Sequence, residues 1–137
     1  QCDRRQRQMC IRDRYIAANK ILSLPIRDLT HVERVWMAKV VYHRYVGMKE
    51  KKQIEKSIIN LLTEEQKASS YAVGLGLRFI YIFCGGYPKN LEKIKLKIKK
   101  NKLICKIKPE AKSLMDKEVE RRLKNFANAS NLNYEIV

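Results

Sequence analysis

Residues 63–88 read TEEQKASSYAVGLGLRFIYIFCGGYP, and the fold of the chain turns on how they are taken. Thr63 followed three residues later by Gln66 has the spacing of a capping box, in which hydroxyl and amide satisfy two otherwise orphaned N–H donors. From there Ala68, Tyr71, Ala72, Leu75, Phe79, Ile82 and Phe83 recur at three- and four-residue intervals, which places them on one face of a helix. Val73, Leu77 and Ile80 make the opposite face almost as apolar, so the stretch predicts a helix covered on most sides. Gly85 and Gly86 give it a stop, because glycine accepts the left-handed backbone that helix ends often require, and Pro88 prevents resumption. The apolar run from Tyr71 to Cys84 is fourteen residues and contains Arg78. A membrane span needs roughly 20 apolar residues, so the stretch is read as a core helix.

Working outward, 137 residues are enough for one hydrophobic core. The start is anomalous. Residues 1–14, QCDRRQRQMCIRDR, hold five Arg and no Lys, whereas the remaining 123 hold six Arg and nineteen Lys. The segment begins with Gln, shows no apolar period, and ends in MCIRDR, which resembles the translated read-through of a sequencing adapter. Residues 1–14 are therefore expected to be non-native and are set aside as a tag would be. They supply +3 of the formal charge of +16, five arginines against two aspartates; the body keeps +13, 25 bases against 12 acids. Such a body suits a polyanionic partner, although abundant Lys, Ile and Asn also follow from an AT-rich genome.

The body is expected to divide at Pro88, into a helical region over 15–88 and an α+β cap over 89–137. In the first part, Ile16, Ile21 and Leu22 carry a short helical pattern that breaks at Pro25, and PIRDLT forms a turn. Thr30 and Glu33 make a second capping box for a helix running from His31 towards Val46, with Val32, Val35, Trp36, Val40 and His43 on one face, Met37 and Val41 beside them, and Gly47 as stop. After a polar linker over 48–53, a shorter helix is predicted from Gln53 to Leu62, with Ile54, Ile58, Leu61 and Leu62 inward. These are helices joined by short connections. Beyond Pro88 the period falls to two: Ile94, Leu96 and Ile98 alternate with lysines, as do Leu103, Cys105 and Ile107. With Lys100 and Asn101 between the runs, this predicts a β-hairpin with one apolar and one lysine face. A last helix over 116–128 buries Val119, Leu123, Phe126 and Ala127, and Tyr134–Val137 is a candidate third strand.

The chemistry-bearing residues are few. The lysine face of the hairpin would attract phosphates with salt-sensitive affinity, or it is a solvated surface that protects strand edges; it lacks the aromatic platforms of single-strand nucleic-acid binders. His31 and His43 are the only histidines, and no His-Asp dipeptide exists, so a metal centre of the HD phosphohydrolase kind is not expected. Gly74 and Gly76 lie inside the long helix, where they admit a close neighbour rather than cradle a phosphate. Cys84 and Cys105, without metal-ligand spacing, read as small hydrophobes in a reducing cytoplasm. No catalytic constellation is visible.

Three phrases and their order carry a resemblance: ERVWMAKVVYHRYVG over 33–47, LGLRFIYIFCGG over 75–86, and the hairpin followed by EVERRL over 118–123. Together they resemble the C-terminal region of the Ppx/GppA phosphatases, exopolyphosphatases and guanosine pentaphosphate phosphohydrolases. HRYVG and CGGYP are closest to the alphaproteobacterial branch, and LRFIYIF is bulkier than the family's usual LRLA-type run.

The resemblance implies a mainly α fold, an HD-like helical array followed by a small α+β cap, over residues 15–137. It implies a parent enzyme that hydrolyses terminal phosphoanhydride bonds of polyphosphate, or the 5′-phosphate of guanosine pentaphosphate. Its phosphate loops, its Mg²⁺ site and the glutamate that activates water would lie in preceding actin-like ATPase-fold domains. None of those residues is in this chain, so no catalytic residue, metal ligand or cofactor site is carried over, and the chain alone should be inactive. The region is expected to contribute polyphosphate binding, through Arg34, Lys39, His43, Arg44 and Arg78, and homodimer formation, in a cytoplasmic protein without a membrane partner. The alternative is a small basic nucleic-acid- or ribosome-associated protein.

Overall fold

A computed structural model of the chain describes residues 16–48 and 56–137. They pack as two compact units, one reaching to Gly74 and the other comprising Leu75–Val137, and the division falls inside the longest helix. Described in chain order, the fold is mainly helical, with a small three-stranded sheet towards the C-terminus.

In the first unit, α1 covers residues 16–23 and stops ahead of Pro25, as the sequence predicts. Its buried contact is Ala18 rather than Ile16, which is exposed. The α2 helix, His31–Val46, opens on the expected box: Thr30 Oγ1 accepts from the Glu33 backbone N–H, and Glu33 Oε2 accepts from the Thr30 N–H at 2.8 Å. That backbone N–H, then the Thr30 hydroxyl, hold the Glu33 carboxyl below its ordinary range. Burial extends further around α2 than a single stripe. Val35, Val40 and His43 are buried as expected, but so are Ala38 and Tyr42, which form a cluster with Ala18 and the half-buried Ile21, Leu22, Ile58 and Ile59.

The α3 helix is short, Lys56–Ile59; Ile54 and most of the expected linker lie outside the described residues. The helix predicted to Leu62 ends three residues earlier. Leu61 and Leu62 donate to Ile58 and Ile59, an i→i−3 pattern that turns the chain more tightly than an α-helix does. Leu62 is consequently buried and Leu61 faces solvent, correcting the inward placement of Leu61.

The α4 helix, Glu64–Cys84, is the stretch quoted at the outset. Its box forms, with Gln66 Oε1 accepting from the Thr63 N–H at 2.9 Å and Thr63 Oγ1 from the Gln66 N–H at 3.1 Å. Leu75, Phe79 and Phe83 are buried as predicted, but in the first turns Ser70 and Gly74 point inward while Ala68 is exposed. The expectation that α4 is covered on most sides does not hold: Val73, Leu77 and Tyr81, four residues apart, are 39%, 45% and 60% exposed. Gly74 explains the inward turn. A Cβ built on it would lie 2.6 Å from His43 Cβ and 2.8 Å from the Val40 carbonyl oxygen, so only hydrogen fits against α2. Trp36 Nε1 donates to Ser69 Oγ at 2.9 Å, fixing the rotation of the same contact.

The second unit is built on one core, with Phe79, Phe83, Leu103, Cys105, Ala111, Val119, Leu123 and Ala127 at its centre. After the left-handed Gly85 and Gly86 the chain does resume, as a 3-10 helix over Pro88–Lys93; a second occupies Pro109–Leu114. In each, proline takes the first position, where its missing N–H costs nothing. The predicted hairpin follows, β1 at Ile94–Lys99 and β2 at Lys102–Ile107, joined by Lys100 and Asn101 at positive φ as a two-residue turn needs. Then α5, Lys117–Ala129, is capped by Asp116, and β3, Asn133–Ile136, pairs parallel to β2. The sheet order is β1-β2-β3. Ile94, Leu96, Leu103, Cys105, Ile107 and Tyr134 face or flank the core; Ile98, at the hairpin tip, is 69% exposed.

The two interior glycines of α4 differ in what they touch. Gly76 meets the Phe126 ring at 2.9 Å, the far end of a side chain that can swing. Gly74 meets backbone and a Cβ, which cannot. Helix propensity alone favours alanine over glycine by about 1 kcal/mol, whereas forced overpacking costs about 1–3 kcal/mol. Chemical denaturation is expected to show Gly74→Ala clearly destabilised and Gly76→Ala much less affected.

Candidate functional site

Four of the five residues singled out for phosphate contact are on α2, in the first unit. Arg34 is half-buried and its Nη2 donates to the Ile26 carbonyl at 3.4 Å, so it ties the turn before α2 to the helix. Lys39 is half-buried and close enough to Glu64 to add, after the dominant Lys67 hydrogen bond, to holding that carboxyl below its ordinary range. Arg44 is half-buried with its guanidinium 4.2 Å from the centre of the Tyr45 ring, within cation–π range. At about 100° per residue, Lys39 lies about 140° from Arg34 around the helix and Arg44 about 80° to the other side. No one face presents all three.

His43 is a core residue, 1% exposed. Its ring meets Tyr42 and Tyr71 edge-on, with centroids 5.3 and 4.8 Å away. Nδ1 is 3.2 Å from the Gly47 carbonyl oxygen, which can only accept, so that nitrogen carries the proton. The Gly47 N–H in turn donates to the His43 carbonyl at 2.8 Å. This reciprocal pair closes the C-terminus of α2. Arg78 belongs to the second unit, half-buried on α4.

The largest cationic surface is the outer face of the sheet. The register sets Lys95 opposite Lys106 and Lys99 opposite Lys102, with Lys97 opposite Ile104. The parallel strand adds Asn133 beside Lys102 and Glu135 beside Ile104. Five exposed lysines thus share a face with one carboxylate, and Glu135 pairs with Lys102 at 3.0 Å. The alternation seen in sequence left Ile104 out of this face. The presence of Glu135 there depends on the parallel pairing, for which no local sequence signal exists.

The phrases quoted for the resemblance are mostly devices at helix ends. HRYVG is the His43–Gly47 closure of α2. In CGGYP, the Cys84 carbonyl accepts from the Tyr87 N–H at 3.0 Å and from Nδ2 of the buried Asn90 at 2.9 Å, satisfying a helix-end acceptor that would otherwise be orphaned. In EVERRL, Glu118 accepts from Arg121 and Arg122 and is held below the ordinary carboxylate range chiefly by Arg121, while Glu120 accepts from the Tyr134 hydroxyl at 3.1 Å and so ties α5 to β3.

Cys84 and Cys105 are free thiols in the core. Burial pushes both up, Cys105 to about 11. Among the described residues no cluster of three or more His, Cys, Asp or Glu can hold a metal ion, and no helix is long and apolar enough to cross a membrane.

Helices closed in this way are followed by a hairpin, a capped helix and a third strand. The chain matches the family described as exopolyphosphatase, C-terminal, over residues 15–137, and belongs to it. A search of curated proteins gives no match.

A thiol titrating near 11 is thiolate in only about one molecule in a thousand at pH 8, and the thiolate is the reactive form. Iodoacetamide at pH 8 should therefore leave Cys105 unlabelled in the native chain, with Cys84 slow, and label both on unfolding, as mass spectrometry would read.

Proposed function

We propose that the chain serves as the C-terminal part of an exopolyphosphatase, helping to hold the phosphate chain and to form dimers while other domains cleave terminal phosphoanhydride bonds. The observation that carries this reading is the family match over residues 15–137, the whole body of the chain. Cationic groups half-buried on otherwise apolar helices support it, because packing of the stem positions a guanidinium or ammonium. On this reading Arg34 and Arg44, about 80° apart around α2, contact phosphate on one side of the helix and Lys39 on another, and Arg78 is a contact of its own in the other unit. His43, enclosed by tyrosines, acts by fixing the turn of α2 that carries Arg44. The parent's Mg²⁺ and its water-activating carboxylate would be supplied by actin-like ATPase-fold domains, and the helical region would be the HD-like part of the family architecture. Polyphosphate and guanosine pentaphosphate are both substrates of this chemistry.

Two measurements test the reading. The purified chain with Mg²⁺ should release no phosphate from polyphosphate, and release would overturn the non-catalytic role. Arg34→Gln with Arg44→Gln should weaken long-chain polyphosphate binding by about thirtyfold, two charge-assisted contacts at about 1 kcal/mol each; unchanged affinity would remove α2 from the site.

A further inference from the structure

The outer face of the sheet is charged beyond what a solvated surface needs. In an antiparallel pair, residues directly opposite have Cβ atoms about 5 Å apart, and like charges in that position destabilise the sheet. The hairpin places two such pairs, Lys95 with Lys106 and Lys99 with Lys102, and adds Lys97 between them. Edge protection accounts for lysine on an outer strand, but β2 is the central strand, flanked by β1 and β3. Lys102 and Lys106 on it therefore guard no edge. Among the described residues, the one ion pair on this face is Lys102 with Glu135, which leaves four lysines without a carboxylate of the sheet beside them.

We infer that this face is a second polyanion site, separate from the α2 cations, and that its occupant is a linear chain of condensed phosphates. The identity of that chain rests on the function proposed above; the site itself rests on the sheet register. Charge complementarity selects a polyanion, and the other residues of the face select its kind. Single-stranded nucleic acid is held by stacking its bases on aromatic side chains as well as by charge. This face has none: its remaining members are Ile104, Asn133 and Glu135, and the sheet's one tyrosine, Tyr134, lies on the core side with its hydroxyl on Glu120. Nor does it contain arginine, whose fork reads individual oxygens; lysine acts as a point charge. Point charges about 6.7 Å apart along a strand and about 5 Å apart between strands form a grid for a flexible anion with no bases to place. Occupancy relieves the opposed lysine pairs, so the ligand also stabilises the hairpin.

The test uses the whole chain and long-chain sodium polyphosphate, with affinity measured from 50 to 300 mM KCl. A Lys95→Gln, Lys97→Gln, Lys106→Gln variant should bind about tenfold or more weakly near 100 mM and lower the slope of log affinity against log salt by about 2, since each phosphate contact on a single strand contributes about 0.7. A control with the same charge loss on other elements, Lys112→Gln, Lys117→Gln, Lys124→Gln, should keep the slope. In the unaltered chain, polyphosphate should shield Lys95, Lys97 and Lys106 from acetylation while Lys112, Lys117 and Lys124 stay reactive. Unchanged affinity in the sheet variant, equal loss in the control, or equal labelling with and without polyphosphate overturns the inference. So does a single-stranded RNA that binds as tightly at equal charge. The Arg34/Arg44 variant, measured in parallel, separates the two sites: if it alone loses binding, the sheet site fails and the proposed function stands; if the sheet variant alone loses it, the α2 contacts fail and the sheet site stands.

Discussion

The first unit depends on an approach that leaves room for one hydrogen atom. At Gly74, α4 lies so close to α2 that a methyl group would overlap a backbone carbonyl and the Cβ of His43. That closeness brings Tyr71 edge-on to the His43 ring, whose other side meets Tyr42 and whose Nδ1 reaches the Gly47 carbonyl. The last turn of α2, with Arg44 on it, is thereby set from inside the unit, by packing and the hydrogen bond from His43 Nδ1 to the Gly47 carbonyl. Where α2 presents its cations is thus a consequence of a missing side chain on another helix.

The same economy recurs at the ends of other helices. Asn90 caps the Cys84 carbonyl, Asp116 caps α5, and the Thr–Glu and Thr–Gln boxes open α2 and α4. Each satisfies backbone groups that a helix cannot satisfy itself, and several fall within the phrases by which the family is recognised. Such phrases record architecture, which is why they identify the region without pointing to a reaction.

What was legible in the sequence was local. Both capping boxes, the glycine stops and the hairpin turn are encoded within a few residues, and the period of two along β1 and β2 needs no partner to be read. What was not legible depended on a second segment. Ala38 and Tyr42 are buried because other helices arrive on their side of α2, and the inward turn of Ser70 follows from the space Gly74 opens. The exposure of Val73, Leu77 and Tyr81 cannot be read from hydrophobicity, which does not say whether a neighbour covers a face. The 3-10 turns after Tyr87 and Lys108 were hidden because proline signals a stop to an α-helix and a start to a tighter one. For the candidate site, residue type and helix were readable, but not the angular spread of Arg34, Lys39 and Arg44, nor that His43 is enclosed.

The turn of the hairpin carries one further implication. Lys100 and Asn101 both adopt positive φ, with Lys100 at 49°, a conformation that costs a non-glycine residue about 1–2 kcal/mol and that Asn-Gly would take with ease. Together with the opposed lysines, this makes the hairpin less stable than its own backbone allows. Segments left below their stability optimum are where a trade-off between durability and activity is found. If the lysine face binds a polyanion as inferred above, a substitution that stabilises the hairpin by removing one of its opposed lysines would do so at the expense of that binding.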